Sequence, residues 1–406
     1  MRGARMSTYL IGSETIPAHS EGLQDVLVRA RAAGFRPRCL CTPSGVEMYL
    51  AKVGGRYIVK RMPSSGAEHQ PGCESYEPPP ELSGLGQVQG SAITEDTEDG
   101  ETTLRLGFSL SKTGGKAAPD TTGAGSDSVA TDGTKLTLRA MLHYLWEGAG
   151  FNKWVPAMAG RRNWPVIRKY LFEAAAGKNA KGKGLLESLY VPEPFSLEHK
   201  AEITGRRMQQ MMAVASAGTG RRKLLLAVGE VKDIAQTRFG HKIILKQVAD
   251  CPFMINDDLH KRMLKRFEVE LGLWDAVEGS HLMVIGTFAV GRTGVASFEE
   301  LSLMVVTENW IPFESTFDKM VIDAMTSVDR PFVKGLRYNL AAPVPLASIV
   351  ATDTAPTPTA LYIIAPDTDD EQIAVVDELA EDSSLASWIW NAGLDPMPAL
   401  PAPTTA

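Results

Sequence analysis

The N-terminal fold is decided by a stretch whose two ends carry cysteine and histidine. It begins Arg38-Cys39-Leu40-Cys41 and ends His69-Gln70-Pro71-Gly72-Cys73. Three of the four cysteines of the chain lie here, together with one histidine. Thiolates are the preferred ligands of soft divalent ions, and imidazole can complete a tetrahedral shell. The pattern predicts a structural zinc site formed by Cys39, Cys41, His69 and Cys73.

The residues between these ligands predict a hairpin that folds the two ends together. Pro43-Ser44-Gly45 marks a turn, residues 46–52 and 56–61 are rich in strand formers, and Gly54-Gly55 favours a tight turn between them. A segment this small buries little apolar surface. A bound ion would therefore supply much of the stability of this zinc-knuckle hairpin.

Other interpretations of the cysteines remain open. Cys39 and Cys41 could form a redox pair, and His69 could be an ordinary loop residue. The ligand spacing differs from the common zinc-finger spacings, which weakens the zinc interpretation. A disulfide is disfavoured in an intracellular protein, which weakens the redox interpretation. The fourth cysteine, Cys251, precedes Pro252 and Phe253, and we expect it to be a buried apolar residue.

Composition indicates a folded protein of about two or three domains. The chain has 406 residues, of which 44% are hydrophobic. No apolar run reaches the length of a membrane-spanning helix, and the apolar stretch after the basic N-terminus is too short for a signal peptide. We therefore expect a cytoplasmic protein without a membrane partner.

Charge is distributed unevenly along the chain. The net charge is −6, yet residues 139–270 contain 23 Lys and Arg against 13 Asp and Glu, whereas residues 341–406 contain ten acidic residues and no Lys or Arg. A basic middle in an acidic protein suggests a surface for DNA or RNA.

Basic residues of this middle region lie close to aromatic ones in the sequence. Cations can neutralise phosphates, and aromatic rings can stack on bases. The alternative is that the cations are solvated and the tryptophans belong to the core. The nucleic-acid-binding candidates are Arg161, Arg162, Arg168, Lys169, Arg206, Arg207, Arg221, Arg222, Lys223, Trp154 and Trp164.

The order of predicted elements indicates an α+β protein with five regions. An amphipathic pattern predicts a helix over residues 21–33, and two more, over 136–147 and from Trp164 with Asn163 as its cap, are compatible with a winged-helix element. The basic segment 178–184 that follows is expected to be a mobile loop. Strands and helices alternate after residue 223, with one strongly amphipathic helix predicted over residues 257–277, which favours a mixed, mostly antiparallel sheet with packed helices. In the C-terminal tail, residues 361–364 predict a strand and residues 371–379 predict a helix. The regions are an N-terminal helix plus zinc-binding hairpin (1–90), a flexible linker (91–135), a basic helical domain (136–220), an α+β sheet domain (221–340) and an acidic Pro/Ala/Thr-rich region (341–406).

One strand carries a pair of residues used by metal-dependent nucleases. Gly229-Glu230-Val231-Lys232 places a carboxylate and an amine two residues apart, on one face of a strand. A carboxylate can hold Mg²⁺ while lysine activates water, but no second acidic partner precedes Glu230 in a suitable pattern. Phosphate-loop, dinucleotide-binding and nucleophile-elbow motifs are missing from the sequence.

Several longer motifs resemble one bacterial family, domain of unknown function 1173. They are Cys39-Leu40-Cys41, Lys60-Arg61-Met62-Pro63, His69-Gln70-Pro71-Gly72-Cys73, Ser75-Tyr76-Glu77-Pro78-Pro79, Ala149-Gly150-Phe151-Asn152-Lys153-Trp154, Pro192-Glu193-Pro194-Phe195, Gly229-Glu230-Val231-Lys232 and Thr307-Glu308-Asn309-Trp310-Ile311-Pro312-Phe313. The resemblance covers residues 23–338. Because such proteins are carried on plasmids and integrative conjugative elements, it implies a role in mobile-DNA biology. It implies no catalytic residues.

Together these patterns predict a zinc-binding accessory protein of a mobile genetic element that contacts nucleic acid through its basic middle region. Other proteins of the same element are further expected partners. The alternatives are a divergent metal-dependent nuclease using Glu230 and Lys232, and a zinc-containing adaptor that docks other proteins.

Overall fold

A computed structural model describes residues 7–113, 133–215, 221–238 and 240–404. Helices and sheets are mixed along these ranges, so the predicted α+β class is confirmed. None of the helices in the described ranges is long and apolar enough to cross a bilayer.

The N-terminal part is an antiparallel sheet covered by one helix. Its elements are β1 (Thr8–Ile11), β2 (Glu14–Pro17), α1 (Leu23–Ala33), β3 (Arg38–Cys39), β4 (Val46–Val53) and β5 (Arg56–Arg61), with strand order β2-β1-β3-β4-β5. The predicted hairpin is confirmed, and Gly54 and Gly55 supply the positive φ angles of 58° and 83° that its turn requires. The apolar side of α1 packs with Met48 and Leu50 into a small core of its own.

The following part contains two packed helices and several short strands. Its elements are α2 (Leu85–Val88), β6 (Ile93–Glu95), β7 (Thr102–Leu104), β8 (Ser111–Thr113), α3 (Leu138–Gly148), β9 (Lys153–Trp154), α4 (Trp164–Ala175), β10 (Lys178–Ala180), β11 (Lys183–Gly184), β12 (Leu189–Tyr190) and α5 (Lys200–Met212). The predicted cap of α4 is confirmed, since the Asn163 side chain accepts from the Val166 N–H. A hairpin follows α3 and α4, as in a winged helix, but it joins β7 and β6 in a four-stranded sheet.

Two expectations for this part need correction. The region 91–135 was predicted as a flexible linker, yet β6, β7 and β8 are paired strands, while residues 114–132 lie outside the described residues. The basic segment 178–184 was predicted as a mobile loop but forms the β10–β11 hairpin. These short segments are ordered because they pair with strands that lie far away in the sequence. Local composition does not reveal such partners.

A closed barrel forms the centre of the molecule. The elements of this part are β13 (Arg221–Lys223), β14 (Leu225–Thr237), β15 (Gly240–Leu245), β16 (Phe253–Ile255), α6 (Asp257–Arg266), α7 (Glu268–Ala276), β17 (His281–Val290) and β18 (Ala296–Val306). Strands β14, β15, β16, β18 and β17 pair in that order, and β17 pairs back onto β14. The single helix predicted over residues 257–277 is broken at Phe267, which leaves helical geometry and is buried.

The acidic C-terminal region is folded. Two elements precede it, α8 (Thr316–Ser327) and β19 (Phe332–Lys334), and it contains β20 (Ile349–Ala351), β21 (Thr359–Ile364), α9 (Asp370–Asp382) and β22 (Ala386–Asn391). The sheet order is β22-β21-β20-β19-β9. The strand predicted at 361–364 and the helix predicted at 371–379 are confirmed by β21 and α9. The sheet joins residues of the C-terminal region to Lys153 and Trp154 in the middle of the chain.

Strand β14 lies between the two largest apolar cores. Leu225 and Ala227 belong to the core that includes the barrel interior, whereas Leu226 and Val228 contact the core beneath α3 and α4. Because successive side chains of a strand point to opposite faces, burial of both faces explains the continuous apolar run Leu224 to Val228.

Three indole rings pack together between α3, α4 and the barrel. We call Trp146, Trp164 and Trp310 the tryptophan cluster. The ring of Trp310 lies 6.5 Å from that of Trp146 and 6.2 Å from that of Trp164, and the imidazole of His281 stacks on it at 4.3 Å. Trp310 has a positive φ of 61°, and its carbonyl accepts a hydrogen bond from the Trp146 indole.

Candidate metal centre

The four predicted ligands come from two loops that the N-terminal sheet brings together. Cys39 ends β3, where it pairs with Tyr9 of β1 and Val46 of β4, and Cys41 lies in the turn that follows. On the second loop, a single helical turn, Gly66–Glu68, leads into His69, and Cys73 lies in the next turn. Paired backbone thus fixes the first ligand, and turns place the other three around it.

The distances between the ligand atoms fit a tetrahedral ion. The Sγ atoms of Cys39 and Cys73 are 3.7 Å apart, and the Nδ1 atom of His69 lies 3.3 Å from the Cys41 Sγ and 3.8 Å from the Cys73 Sγ. All four atoms lie within 4.8 Å of one another. A tetrahedron with Zn–S bonds of about 2.3 Å has edges of about 3.8 Å. Three of the six distances are close to this edge length, and the others need at most a small contraction, so the four residues fit a zinc ion.

The thiols are reduced, and their protons are unevenly held. The four cysteines are free. Hydrogen bonds from Cys39 and His69, with a further one from the Ser75 N–H at 3.4 Å, lower the pKa of Cys73 to about 3. The hydrogen bond to Cys73 and burial raise the pKa of Cys39, and burial raises that of Cys41. The lowered pKa favours the thiolate form of Cys73, which is the form in which cysteine binds a metal ion.

Burial makes this cluster a closed site. Cys39 is fully buried and His69 is 3% exposed, whereas Cys41 and Cys73 are half-buried. The His69 Nδ1 atom faces the sulfurs, and its Nε2 atom is buried without a hydrogen-bond partner among the described residues. Four protein ligands leave no open position for substrate, which is typical of structural rather than catalytic zinc.

Two cations outside the ligand set hold the second loop in place. The Lys153 ammonium donates to the carbonyls of Glu74 at 2.9 Å and Tyr76 at 2.7 Å. Arg61, at the end of β5, donates to the Ser75 carbonyl and pairs with Glu77. Neither cation was predicted to act here, although both lie in motifs that the sequence singles out. Their carbonyl acceptors are backbone groups, which composition cannot reveal.

One known family covers nearly the whole chain. The sequence model of the family described as protein of unknown function (DUF1173) matches residues 9–393. The chain belongs to this family. The match extends beyond the predicted 23–338 and includes the folded C-terminal sheet. No curated protein and no solved structure matches this DUF1173 chain.

The predicted basic candidates of this DUF1173 protein separate into two groups. Arg161, Lys169, Arg222 and Lys223 are exposed, as is Arg206, whose guanidinium pairs with Glu193. Arg162 donates to four backbone carbonyls, and the nearly buried Arg207 pairs with Asp250. Arg168 is half-buried, and the side chain of Arg221 lies outside the described part of the chain. Arg162 and Arg207 thus hold the fold rather than present a charge to solvent.

The two tryptophan candidates need correction. Trp154 is 2% exposed and Trp164 is 7% exposed, and the Trp164 indole donates to the Pro192 carbonyl. A base can stack only on an exposed ring face. Both indoles are therefore core residues, which was the alternative interpretation of their pattern.

Glu230 and Lys232 do not come together as a nuclease pair. A β-bulge interrupts the register between Val231 and Asp233, and Lys232 is exposed. Glu230 is buried and accepts hydrogen bonds from His281 at 2.7 Å, Lys246 at 2.8 Å and Gln247 at 3.0 Å. These donors outweigh burial and lower the pKa of Glu230. Within the described residues, the Cys39–Cys73 cluster is the one group with metal-ligand geometry.

Proposed function

We propose that this DUF1173 protein binds one zinc ion through Cys39, Cys41, His69 and Cys73, and that the ion stabilises the N-terminal region. The observation that carries the proposal is the spacing of four buried or half-buried ligand atoms at tetrahedral distances. Soft thiolates and one imidazole favour zinc over Mg²⁺ or Ca²⁺.

Metal analysis of the purified protein tests this proposal. We expect about one zinc ion per chain in the wild type, and a loss of zinc in the Cys39→Ser, Cys73→Ser double variant. Cys251→Ser is the matched control, because Cys251 lies outside the cluster, and it should retain zinc. A wild-type preparation without zinc, or a double variant that keeps it, would refute the proposal.

We further propose that the protein contacts DNA or RNA in the cytoplasm, as an accessory protein of a mobile genetic element. The excess of 23 Lys and Arg over 13 Asp and Glu in residues 139–270 supports this function. The exposed positions Arg161, Lys169, Arg222 and Lys223 are its best candidates. Phosphate contacts made by such residues weaken steeply as salt rises, because binding releases counterions.

Fluorescence anisotropy with labelled single- and double-stranded DNA and RNA at several salt concentrations tests nucleic-acid binding. Replacement of Arg161, Lys169, Arg222 and Lys223 by glutamine should weaken binding and reduce its salt dependence. Lys261→Gln plus Lys265→Gln, on exposed positions of α6, is a charge-matched control for half of that change. Absence of binding at low salt would overturn this part and favour the adaptor, for which protein partners should bind without steep salt dependence.

The nuclease alternative has a direct test. Mg²⁺- or Mn²⁺-dependent cleavage that disappears in Glu230→Ala would support it. The three hydrogen bonds that Glu230 already accepts instead favour a structural role for this carboxylate. We therefore expect no cleavage activity that depends on Glu230.

A further inference from the structure

A surface cleft lies between α4, α5 and the turn after β15. It encloses about 380 Å³, including space open to solvent, and its walls include Arg168 of α4, Arg206 and Arg207 of α5, and Gln247. Pro192 and Val248 add apolar surface. Three guanidinium groups therefore line one cleft.

Two of these guanidinium groups are neutralised. Arg206 makes two hydrogen bonds to the Glu193 carboxylate, at 2.9 Å and 2.7 Å. Arg207 makes two to Asp250, at 3.0 Å and 3.1 Å. Such paired contacts hold each arginine in a fixed orientation and cancel its charge. Arg206 also lies 3.9 Å from the exposed Glu202, so the charges of both arginines are already matched by carboxylates.

Arg168 is the third guanidinium group of the cleft, and its terminal amino groups are unused. Its Nε atom donates to the Val191 carbonyl at 3.2 Å, and its guanidinium lies 4.7 Å from the ring of Phe172. The Glu193 carboxylate interacts with Arg168 electrostatically, but among the described residues no carboxylate lies within ion-pair distance of Arg168, and its two terminal amino groups make no hydrogen bond there. The packed ring and the Nε contact orient a planar fork of donors that has nothing to bind.

The cleft also contains two polar atoms without partners. The Nε atom of Arg207 and the Oε1 atom of Gln247 are buried and make no hydrogen bond with the described residues. Arg207 is 9% exposed, so its unused donor is well inside the protein. The amide nitrogen of Gln247 is occupied by Glu230, which leaves its oxygen as an acceptor. A buried polar group without a partner is costly, so these two atoms favour a further partner in the cleft, either water or a ligand.

We propose that this cleft binds the phosphate group of a phosphorylated sugar or nucleotide. The donors of Arg168 and Arg207 approach from different elements, which suits the tetrahedral oxygens of a phosphate, and arginine forks match phosphate well. The Gln247 oxygen requires a donor, which a hydroxyl group of the sugar supplies. The ligand can be a free nucleotide or the phosphorylated end of a nucleic-acid strand. The proposal goes beyond zinc binding and does not depend on it.

Calorimetric titration of the full chain tests the proposal with defined probes. We expect adenosine 5′-monophosphate to bind and adenosine to show no binding, because the phosphate makes the charged contacts. Arg168→Gln should weaken binding about tenfold or more, since it removes charge-assisted hydrogen bonds. Lys261→Gln, at an exposed position of α6 outside the cleft, is the matched control and should bind normally.

Further outcomes separate the sources of the phosphate and protect against misfolding. Tighter binding of an oligonucleotide with a 5′-phosphate than of the same oligonucleotide without it would assign the cleft to strand ends. Preference for the mononucleotide would assign it to a free ligand. Arg168→Lys keeps the charge but loses the forked pair of donors, so it should bind with intermediate affinity. It serves as the test variant if Arg168→Gln fails to fold. The proposal would be overturned if adenosine and its phosphate bound equally, if neither phosphorylated probe bound, or if both Arg168 variants bound as the wild type does. The zinc content of the Arg168 variants should equal that of the wild type in every case, so the two proposals are tested separately.

Discussion

At the scale of single residues, Asp318 and Lys334 form an ion pair away from solvent. Their charged atoms are 3.3 Å apart, and their side chains are 7% and 2% exposed. Asp318 also accepts hydrogen bonds from the Ser348 hydroxyl and the Glu314 N–H, so its oxygens are well satisfied. Desolvation makes such a pair costly to form, and removal of one partner leaves the other charge buried alone.

Lys334→Met should therefore lower the free energy of unfolding by about 3–5 kcal/mol. The double variant Lys334→Met, Asp318→Leu should recover part of this loss, because no buried charge then remains. Lys169→Met is the matched control: its pair with Glu173 is exposed, and its loss should cost less than about 1 kcal/mol. Denaturant unfolding measures all four proteins, and equal losses in Lys334→Met and Lys169→Met would contradict the argument.

Glu147 provides a second prediction at this scale, because its carboxyl is buried. Burial and the nearby Glu77 raise the pKa of Glu147 from its ordinary value of 4.5 to about 7, although the Tyr338 hydroxyl donates to it at 2.6 Å. The folded state therefore binds this proton more tightly than the unfolded state. The associated stability is complete below pH 4.5 and is lost as the pH rises to about 7.

The free energy of unfolding of the wild type should fall relative to Glu147→Gln across this window, by up to about 1.4 kcal/mol per pH unit. Glutamine keeps the shape of the side chain but does not ionise, so the difference between the two proteins isolates this group. Denaturant unfolding at several pH values measures it. Parallel stability profiles of the two proteins would mean that Glu147 titrates normally in the folded state.

At the scale of elements, the loop of residues 62–77 has little regular structure. Apart from the single turn Gly66–Glu68, it contains turns and irregular backbone, and it carries His69 and Cys73. Few paired backbone groups hold it, so its order depends on the proposed ion together with the Lys153 and Arg61 contacts. The barrel has no such dependence.

Chelation of zinc should make this loop sensitive to proteases while the barrel stays resistant. Limited proteolysis with and without a strong chelator, followed by mass spectrometry, should place the first new cleavage between residues 62 and 77. Zinc added back should restore protection. Cleavage that first appears in the barrel strands, or a pattern that chelation leaves unchanged, would show that the ion does not order this loop.

Local patterns in the sequence predicted many elements well but not their partners. The β4–β5 hairpin, the Asn163 cap and the ligand set were found because each depends on residues a few positions apart or on distinctive chemistry. The break at Phe267 was missed because an apolar residue fits the helical period whether or not the helix continues. Burial of Trp154 and Arg207 depends on distant contacts and could not be read from their neighbours.

At the scale of the whole molecule, the C-terminal region completes the structure rather than extending from it. Ile349, Leu361 and Trp390 belong to the same core as the barrel residues. Arg330 pairs with Asp353, and the Trp388 indole donates to the Ala399 carbonyl. Barrel closure and this shared core join segments that lie more than a hundred residues apart. The hydrophobic periodicity of the sequence is local and does not reveal such contacts.

A chain that ends after residue 340 should therefore fold poorly. It would lose β20, β21 and β22 and expose the buried side chains of Phe332 and Val333 in β19. We expect aggregation or a strongly lowered melting temperature, measured by size exclusion and circular dichroism. Removal of residues 401–406 alone should be tolerated far better. A soluble, cooperatively melting 1–340 fragment would show that the C-terminal region is a separate domain.

The tryptophan cluster gives the molecule an optical signature of its own. Trp146 and Trp164 lie within 6.5 Å and 6.2 Å of Trp310, close enough for their electronic transitions to couple. The near-ultraviolet dichroism of the folded chain should consequently be intense. α3, α4 and the loop that follows the barrel strand β18 each contribute one tryptophan to this cluster. Its near-ultraviolet signal therefore reports the docking of the two helices onto the barrel, independently of the secondary structure of the helices and the barrel.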